Sequence, residues 1–188
     1  MRVLYNIEKL IGPSPEEKQA LESIVKRRLL KKNEHFLHEG DQCESLAFIE
    51  KGSVRYYYQL EDRQVCKDFL LENGLICSFG SLFSQEPSSI FIQAMEDTEI
   101  LEMQYEDVLS LCERYPVWQQ LSRIILQEQI VRAEKREGSF LKDLPETRFK
   151  ALIAGHPTIF KRVPLQYIAS YLGITRETLS RYRKRAGK

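Results

Sequence analysis

The segment "VPLQYIASYLGITRETLSRYRKR", residues 163–185, restricts the fold more tightly than any other part of the chain. Leu165, Ile168, Ala169 and Leu172 recur at i, i+3, i+4 and i+7, which is one apolar face of a helix. Gly173 stops that helix, because glycine accepts the left-handed conformation that follows a helix end. Thr175 is a good N-cap for a second helix after a short connection. Ala169, four residues before the glycine, is small enough to let two helix backbones cross closely. The pattern is a helix-turn-helix.

The same end of the chain is basic. Residues 161–188 carry eight Lys or Arg against Glu177 alone, a net +7 in a chain whose net charge is +1. The other 160 residues therefore carry −6, and an acidic body with a basic tail is expected when one module meets a polyanion and the other does something else. With Arg176 at zero and about 100° per residue, Ser180, Lys184, Glu177 and Arg181 fall between roughly 40° and 140°, and Leu179 and Tyr182 between roughly 240° and 300°. One face packs and the other is free to read. Arginine donates a bidentate pair to guanine and glutamate accepts from cytosine N4, so these types on a leading turn suit a major groove. The alternative is that Glu177 merely favours the helix N-terminus and pairs with Arg181 at i+4.

Upstream, residues 36–103 read as short β-rich runs with Gly40, Gly52, Gly74 and Gly80 at bends, which argues a small β-barrel or roll. Within them "LAFIEKGSVRYYY" predicts two paired strands around a Lys-Gly turn, with at least one ring of Tyr56, Tyr57 and Tyr58 in the core. Between roll and tail, "YPVWQQLSRIILQEQIVRAEKRE" starts at Pro116 and predicts about twenty residues of helix, roughly 30 Å, ending before Gly138. Val117, Leu121, Ile124, Glu128 and Val131 follow a seven-residue repeat on it. That seam fits a dimer helix; the alternative is that it packs against its own roll.

The remaining features exclude more than they propose. An apolar fraction of 43% with 29% charged residues describes a soluble globular chain of one large or two modest domains. No apolar run approaches membrane-spanning length and the N-terminus lacks signal-peptide order, so the cytoplasm is the expected location. Cys43, Cys66, Cys77 and Cys112 form no C-x-x-C pair and are expected as reduced, mostly buried thiols. His35 and His38 lack an evident third ligand, so no metal is expected. The nucleophile elbow, P-loop and H-E-x-x-H patterns are missing, and no enzyme is expected.

"TRETLSRYRK", preceded by "IASYLGI", resembles the recognition region of the Crp/Fnr family of bacterial transcription regulators. The roll is similar to a cyclic-nucleotide-binding domain in its E-G-D turn, its K-G turn and its "FGSLF" before a return strand, so the resemblance spans nearly the whole chain. It implies that Arg176, Glu177 and Arg181 contact base edges; Thr175, Ser180, Arg183, Lys184 and Arg185 are the expected phosphate contacts. It also implies an effector pocket around Gly80, Ser81, Leu82, Ser88 and Ser89. Here the sequence departs from the family: Ser81 stands where a Glu holds the ribose, and Ser88 where an Arg binds the phosphate. Losing that guanidinium removes a bidentate contact to a phosphodiester. No cyclic nucleotide or other cofactor is therefore expected, an unidentified small-molecule effector stays open, and Arg55 or Arg63 is the alternative source of charge. Plain loop and strand serines are the simpler reading of Ser81 and Ser89. Many relatives continue into a β-hairpin wing, whereas this chain stops at Lys188, which leaves part of the phosphate grip to Arg183, Lys184, Arg185 and Lys188.

The expected protein is α+β: an N-terminal antiparallel β-roll with a helical N-terminal segment (1–115), a dimerisation helix (116–137) and a helix-turn-helix domain (139–188). Its expected role is a dimeric, sequence-specific transcription regulator. The rival is a ligand-sensing or protein-interaction module whose basic helix docks an acidic partner. Double-stranded DNA and a second copy of the chain are the expected partners, RNA polymerase is a further candidate, and no membrane is expected.

Overall fold

A computed structural model describes residues 2–187 of the chain, and side chains for 6–187. Helices α1 (Arg2–Ile11) and α2 (Pro15–Ile24) come first. Ser14 and Glu17 form a reciprocal capping box at the start of α2, the Ser14 amide donating to the Glu17 carboxylate at 2.7 Å. The roll follows as β1 (Lys26–Leu30), β2 (His35–Leu37), β3 (Ser45–Lys51), β4 (Val54–Gln59), β5 (Gln64–Leu70), β6 (Leu75–Ile76), the short helix α3 (Phe79–Ser84), β7 (Phe91–Ala94) and β8 (Thr98–Gln104). These strands build two antiparallel four-stranded sheets, ordered β1-β8-β3-β6 and β2-β7-β4-β5. Leu30, Ile49, Val54, Ile76, Ile92 and Ile100 fill the core they share.

One pairing differs from the sequence expectation. β3 pairs with β6 and β8, whereas β4 pairs with β5 and β7, so the Lys-Gly turn is a corner between sheets and not a hairpin. A period-two pattern looks the same in either case. What makes the corner is Gly52, at φ +109°, followed by the fully buried Ser53. The Ser53 amide donates to Thr98 Oγ1 at 3.2 Å and its carbonyl accepts from the Met95 amide at 2.9 Å, which ties the corner to the β7–β8 turn. Of the three tyrosines, Tyr56 lies in the roll core, Tyr57 stacks on Phe91 at 4.9 Å, and Tyr58 is half exposed.

After α4 (Tyr105–Arg114) the chain enters α5 (Pro116–Lys142), 27 residues and about 40 Å long. The helix passes through Gly138 instead of ending before it. A lone glycine costs a helix only about 1 kcal/mol, and the turn beyond it is held by the Asp143 amide donating to Ser139 O. The direction changes at Asp143 and Leu144, before α6 (Pro145–Gly155). The expected seam also divides. Leu121 is buried in the roll core with Trp118, Val117 packs against that core, Ile124 is half-buried, and Glu128 and Val131 are exposed. Four-three spacing marks any helix lying on a surface, so the first half of the seam belongs to the chain's own roll.

The head completes the chain with α7 (Ile159–Arg162), α8 (Leu165–Leu172) and α9 (Arg176–Arg185). Phe149, Leu152, Ile159, Ile168, Leu172 and Leu179 form its core, and Cys66, Phe69 and Met95 of the roll join the same cluster. β5 is an edge strand; α8 covers that edge, and the Cys66 amide donates to Ser170 Oγ at 2.8 Å. Among the described residues no helix is long and apolar enough to cross a membrane.

Gly52 gives the fold its sharpest test. A Cβ there would stand 2.5 Å from Thr98 Oγ1 and 2.7 Å from Thr98 Cα, on a backbone that L residues rarely adopt. Gly52→Ala should cost about 2–4 kcal/mol, read as a lower urea midpoint for the roll; a wild-type midpoint would contradict the corner geometry.

Candidate nucleic-acid interface

The helix-turn-helix is closed by its own backbone. Gly173 takes φ +68°, its amide donates to Ser170 O at 3.0 Å, and the Ile174 amide donates to Ala169 O at 3.0 Å. Ala169 is buried at the crossing, and Thr175 Oγ1 accepts from the Thr178 amide at 3.3 Å to start α9. Leu179 is buried and Tyr182 lies 5.5 Å from the Phe149 ring. Those contacts turn Arg176, Glu177, Ser180, Arg181, Lys184 and Arg185 outward, all exposed.

Among the described residues no ion pair joins Glu177 to Arg181; Arg181 instead donates to Thr178 Oγ1 at 3.0 Å. The backbone amide of Glu177 and the Thr175 hydroxyl hold the Glu177 carboxyl below the usual carboxylate range, so it stays an ionised acceptor at neutral pH. Of the alternative to base reading, the helix-terminus role is present and the i+4 pair is not. Arg183 stands apart from the other basic residues: its guanidinium lies 4.8 Å over Phe160 and its Nε is buried with no partner, on the inner flank of the helix. Lys188 lies outside the described residues.

A cavity of about 1360 Å³ opens between the roll, α5 and the head. Gly80, Ser81 and Ser89 line it; Leu82 and Ser88 do not. Leu82 is in the roll core, and Ser88 is buried with its hydroxyl donating to Ile90 O at 3.0 Å. Ser81 Oγ donates to Glu86 O at 2.6 Å and accepts from the Cys43 amide at 2.9 Å. Both hydroxyls are thus engaged within the roll. Arg55 points away from the cavity, sandwiched 4.1 Å from both Tyr57 and Tyr167 and bonded to Gln64 and Gln93. Arg63 sits exposed in the β4–β5 turn.

The arginines that line the cavity are Arg132 and Arg136 of α5, which the sequence reading missed. Their i,i+4 spacing places both on one helix face, the signal available beforehand. Each is engaged. Arg132 grips both oxygens of Asp68 at 2.8 Å; burial still pushes the Asp68 carboxyl above its usual range despite that arginine. Arg136 lies 3.8 Å over Tyr171 and donates to its carbonyl at 3.1 Å. Elsewhere, His35 Nε2 and the Tyr57 hydroxyl are 2.9 Å apart, and among the described residues no group of three His, Cys, Asp or Glu is placed to hold a metal. Cys43, Cys66 and Cys77 are buried free thiols and Cys112 is half-buried.

A sensor-type roll joined by a long helix to a helix-turn-helix head defines a class of two-module DNA-binding regulators, and comparison with known proteins places the chain within it. The model of the cyclic nucleotide-binding domain matches residues 27–115. The fumarate and nitrate reduction regulatory protein of Vibrio cholerae is 31% identical over 181 residues, covering 88% of this chain and 70% of the relative. The cyclic AMP receptor protein of Thermus thermophilus is 27% identical over 175 residues, 90% and 81% of the two chains. In fold, FixK2 from Bradyrhizobium japonicum superposes with a TM-score of 0.74 at 17% identity, over 86% of this chain and 84% of that one. The chain belongs to the Crp/Fnr family of DNA-binding transcription regulators.

Proposed function

We propose that the protein is a dimeric regulator that reads a near-palindromic operator through Arg176, Glu177 and Arg181, and grips phosphates through Thr175, Ser180, Lys184 and Arg185. The observation that carries this reading is the outward face of α9, where these residues are exposed while Leu179 and Tyr182 anchor the opposite side. The rival, a basic helix docked on an acidic protein, predicts neither sequence preference nor steep salt dependence on duplex DNA. Selection of bound duplexes from a random pool decides between them. Arg176→Ala should cost about 1–3 kcal/mol on the selected site and relax choice at one base position. Lys184→Ala should weaken all duplexes alike. Unchanged sequence preference in Arg176→Ala would contradict the assignment.

The second copy is proposed to seat along the later part of α5 and the joint beyond it. Ile130, Leu141 and Leu144 are 66%, 82% and 75% exposed there, large apolar side chains that a monomer leaves in water, and Ile130 and Leu141 share one face of α5. Leu121 is a poor probe because it supports the roll. Ile130→Glu with Leu141→Glu should sediment as a monomer at micromolar concentration, keep the roll's unfolding midpoint, and bind duplexes poorly because the second half-site contact is lost. A dimer from that variant would place the interface elsewhere.

The cavity is proposed to exclude cyclic nucleotides, with DNA binding either needing no ligand or answering to a neutral or apolar one. A cyclic phosphate needs a cation; freeing Arg132 to supply it would leave the half-buried Asp68 without its partner, and freeing Arg136 would give up its stacking on Tyr171 and its bond to that residue's carbonyl. Calorimetric titration with cyclic AMP and cyclic GMP should show no micromolar binding; such affinity with either would overturn this assignment.

A further inference from the structure

The contact between head and roll combines apolar packing with the Cys66–Ser170 hydrogen bond and Arg55 over Tyr167, and a charged anchor stands beside them. Arg162, the last residue of α7, reaches two acids on different turns of the roll. Its Nη2 lies 2.9 Å from Glu72 Oε1 and 2.6 Å from Glu96 Oε1, its Nε lies 3.2 Å from Glu96 Oε1, and Nη2 also donates to Gly52 O at 3.3 Å. The acids are themselves held: the Gly52 amide donates to Glu72 at 3.0 Å and the Ser53 hydroxyl to Glu96 at 2.7 Å. Three turns of the roll therefore converge on one guanidinium.

The apolar part of the contact, such as Phe69 against Tyr171 at 4.7 Å, is non-directional and tolerates sliding or rotation. A planar fork held by two fixed carboxylates does not. As a source of stability a partly exposed ion pair counts for little; as a geometric constraint it selects one orientation. Docking in that orientation leaves the reading residues of α9 exposed, so it does not hide the head from DNA.

We infer that Arg162 is a positioning residue for DNA binding: by locking the head on Glu72 and Glu96 it sets the spacing and angle at which two recognition helices meet paired half-sites. This rests on the dimeric regulator reading above. The clamp acts through geometry, so removing it should leave each head's grip on DNA intact and blur the distance between the two heads.

The test is binding to duplexes that carry the selected half-site once, or twice at a series of spacings. The wild-type chain should prefer one spacing sharply. Arg162→Ala should lose about tenfold at that spacing, bind neighbouring spacings more evenly, and change by less than about twofold on a single half-site, because linkage depends on geometry and half-site contact does not. Glu72→Gln with Glu96→Gln attacks the clamp from the roll side and should flatten the profile in the same way; it carries the test if Arg162→Ala fails to fold. Arg162→Lys, with one point charge for two acids, should fall between wild type and Arg162→Ala. A spacing profile as sharp as wild type in both clamp variants overturns the inference. A wild-type chain that binds single sites but shows no spacing preference overturns the dimeric reading and the inference with it.

Discussion

Leu179 is buried in the head's core and Tyr182 rests against Phe149, and these two contacts set the rotation of α9 about its own axis. The rest of the interface follows from that rotation. Arg176, Glu177, Arg181 and Lys184 become a continuous polar face because the packing side is occupied, and Gly173 with Thr175 fixes where that face begins. In the proposed reading an acid among bases has a use, since an ionised carboxylate between arginines would accept a base-edge hydrogen that a purely phosphate-gripping helix has no means to recognise.

The head's position depends on the roll in turn. β5 ends a sheet and its outward amides need partners or cover; α8 supplies both, through Ser170 and through Tyr171 packed on Phe69. The cavity lies beside this joint, and its wall includes Ser170 and Gly173 of the head as well as the roll and α5. The cavity and the DNA-binding module therefore share a surface. Ser81, which lines the cavity, and Ser88, which does not, are hydrogen-bonded within the roll, and Arg132 pairs with Asp68.

The helix-turn-helix was legible in the sequence because every determinant is local: an apolar face within two helical turns, a glycine with positive φ, a capping threonine. The roll was legible as a class and less so as a topology. Nothing in the alternation of "LAFIEKGSVRYYY" separates a hairpin from a corner; that distinction is made by Thr98, forty-six residues downstream of Gly52. The seam of α5 was ambiguous for a similar reason, since Leu121 faces its own roll and a partner helix would present the same spacing. Gly138 misled because a propensity of about 1 kcal/mol yields to the packing of the turns around it. Arg132 and Arg136 were overlooked because their role depends on Asp68 and Tyr171, which come near only after folding.

Guanine methylation interference tests the central claim most directly, because N7 lies in the major groove where the arginines of α9 are proposed to donate. Duplexes recovered by selection would be partly methylated at guanine N7 and separated into bound and free fractions. The account predicts that methylated guanines are depleted from the bound fraction at two clusters about one helical turn, roughly 34 Å, apart, and that Arg176→Ala removes part of each cluster. Methylation that has no effect on binding anywhere in the selected site would contradict it.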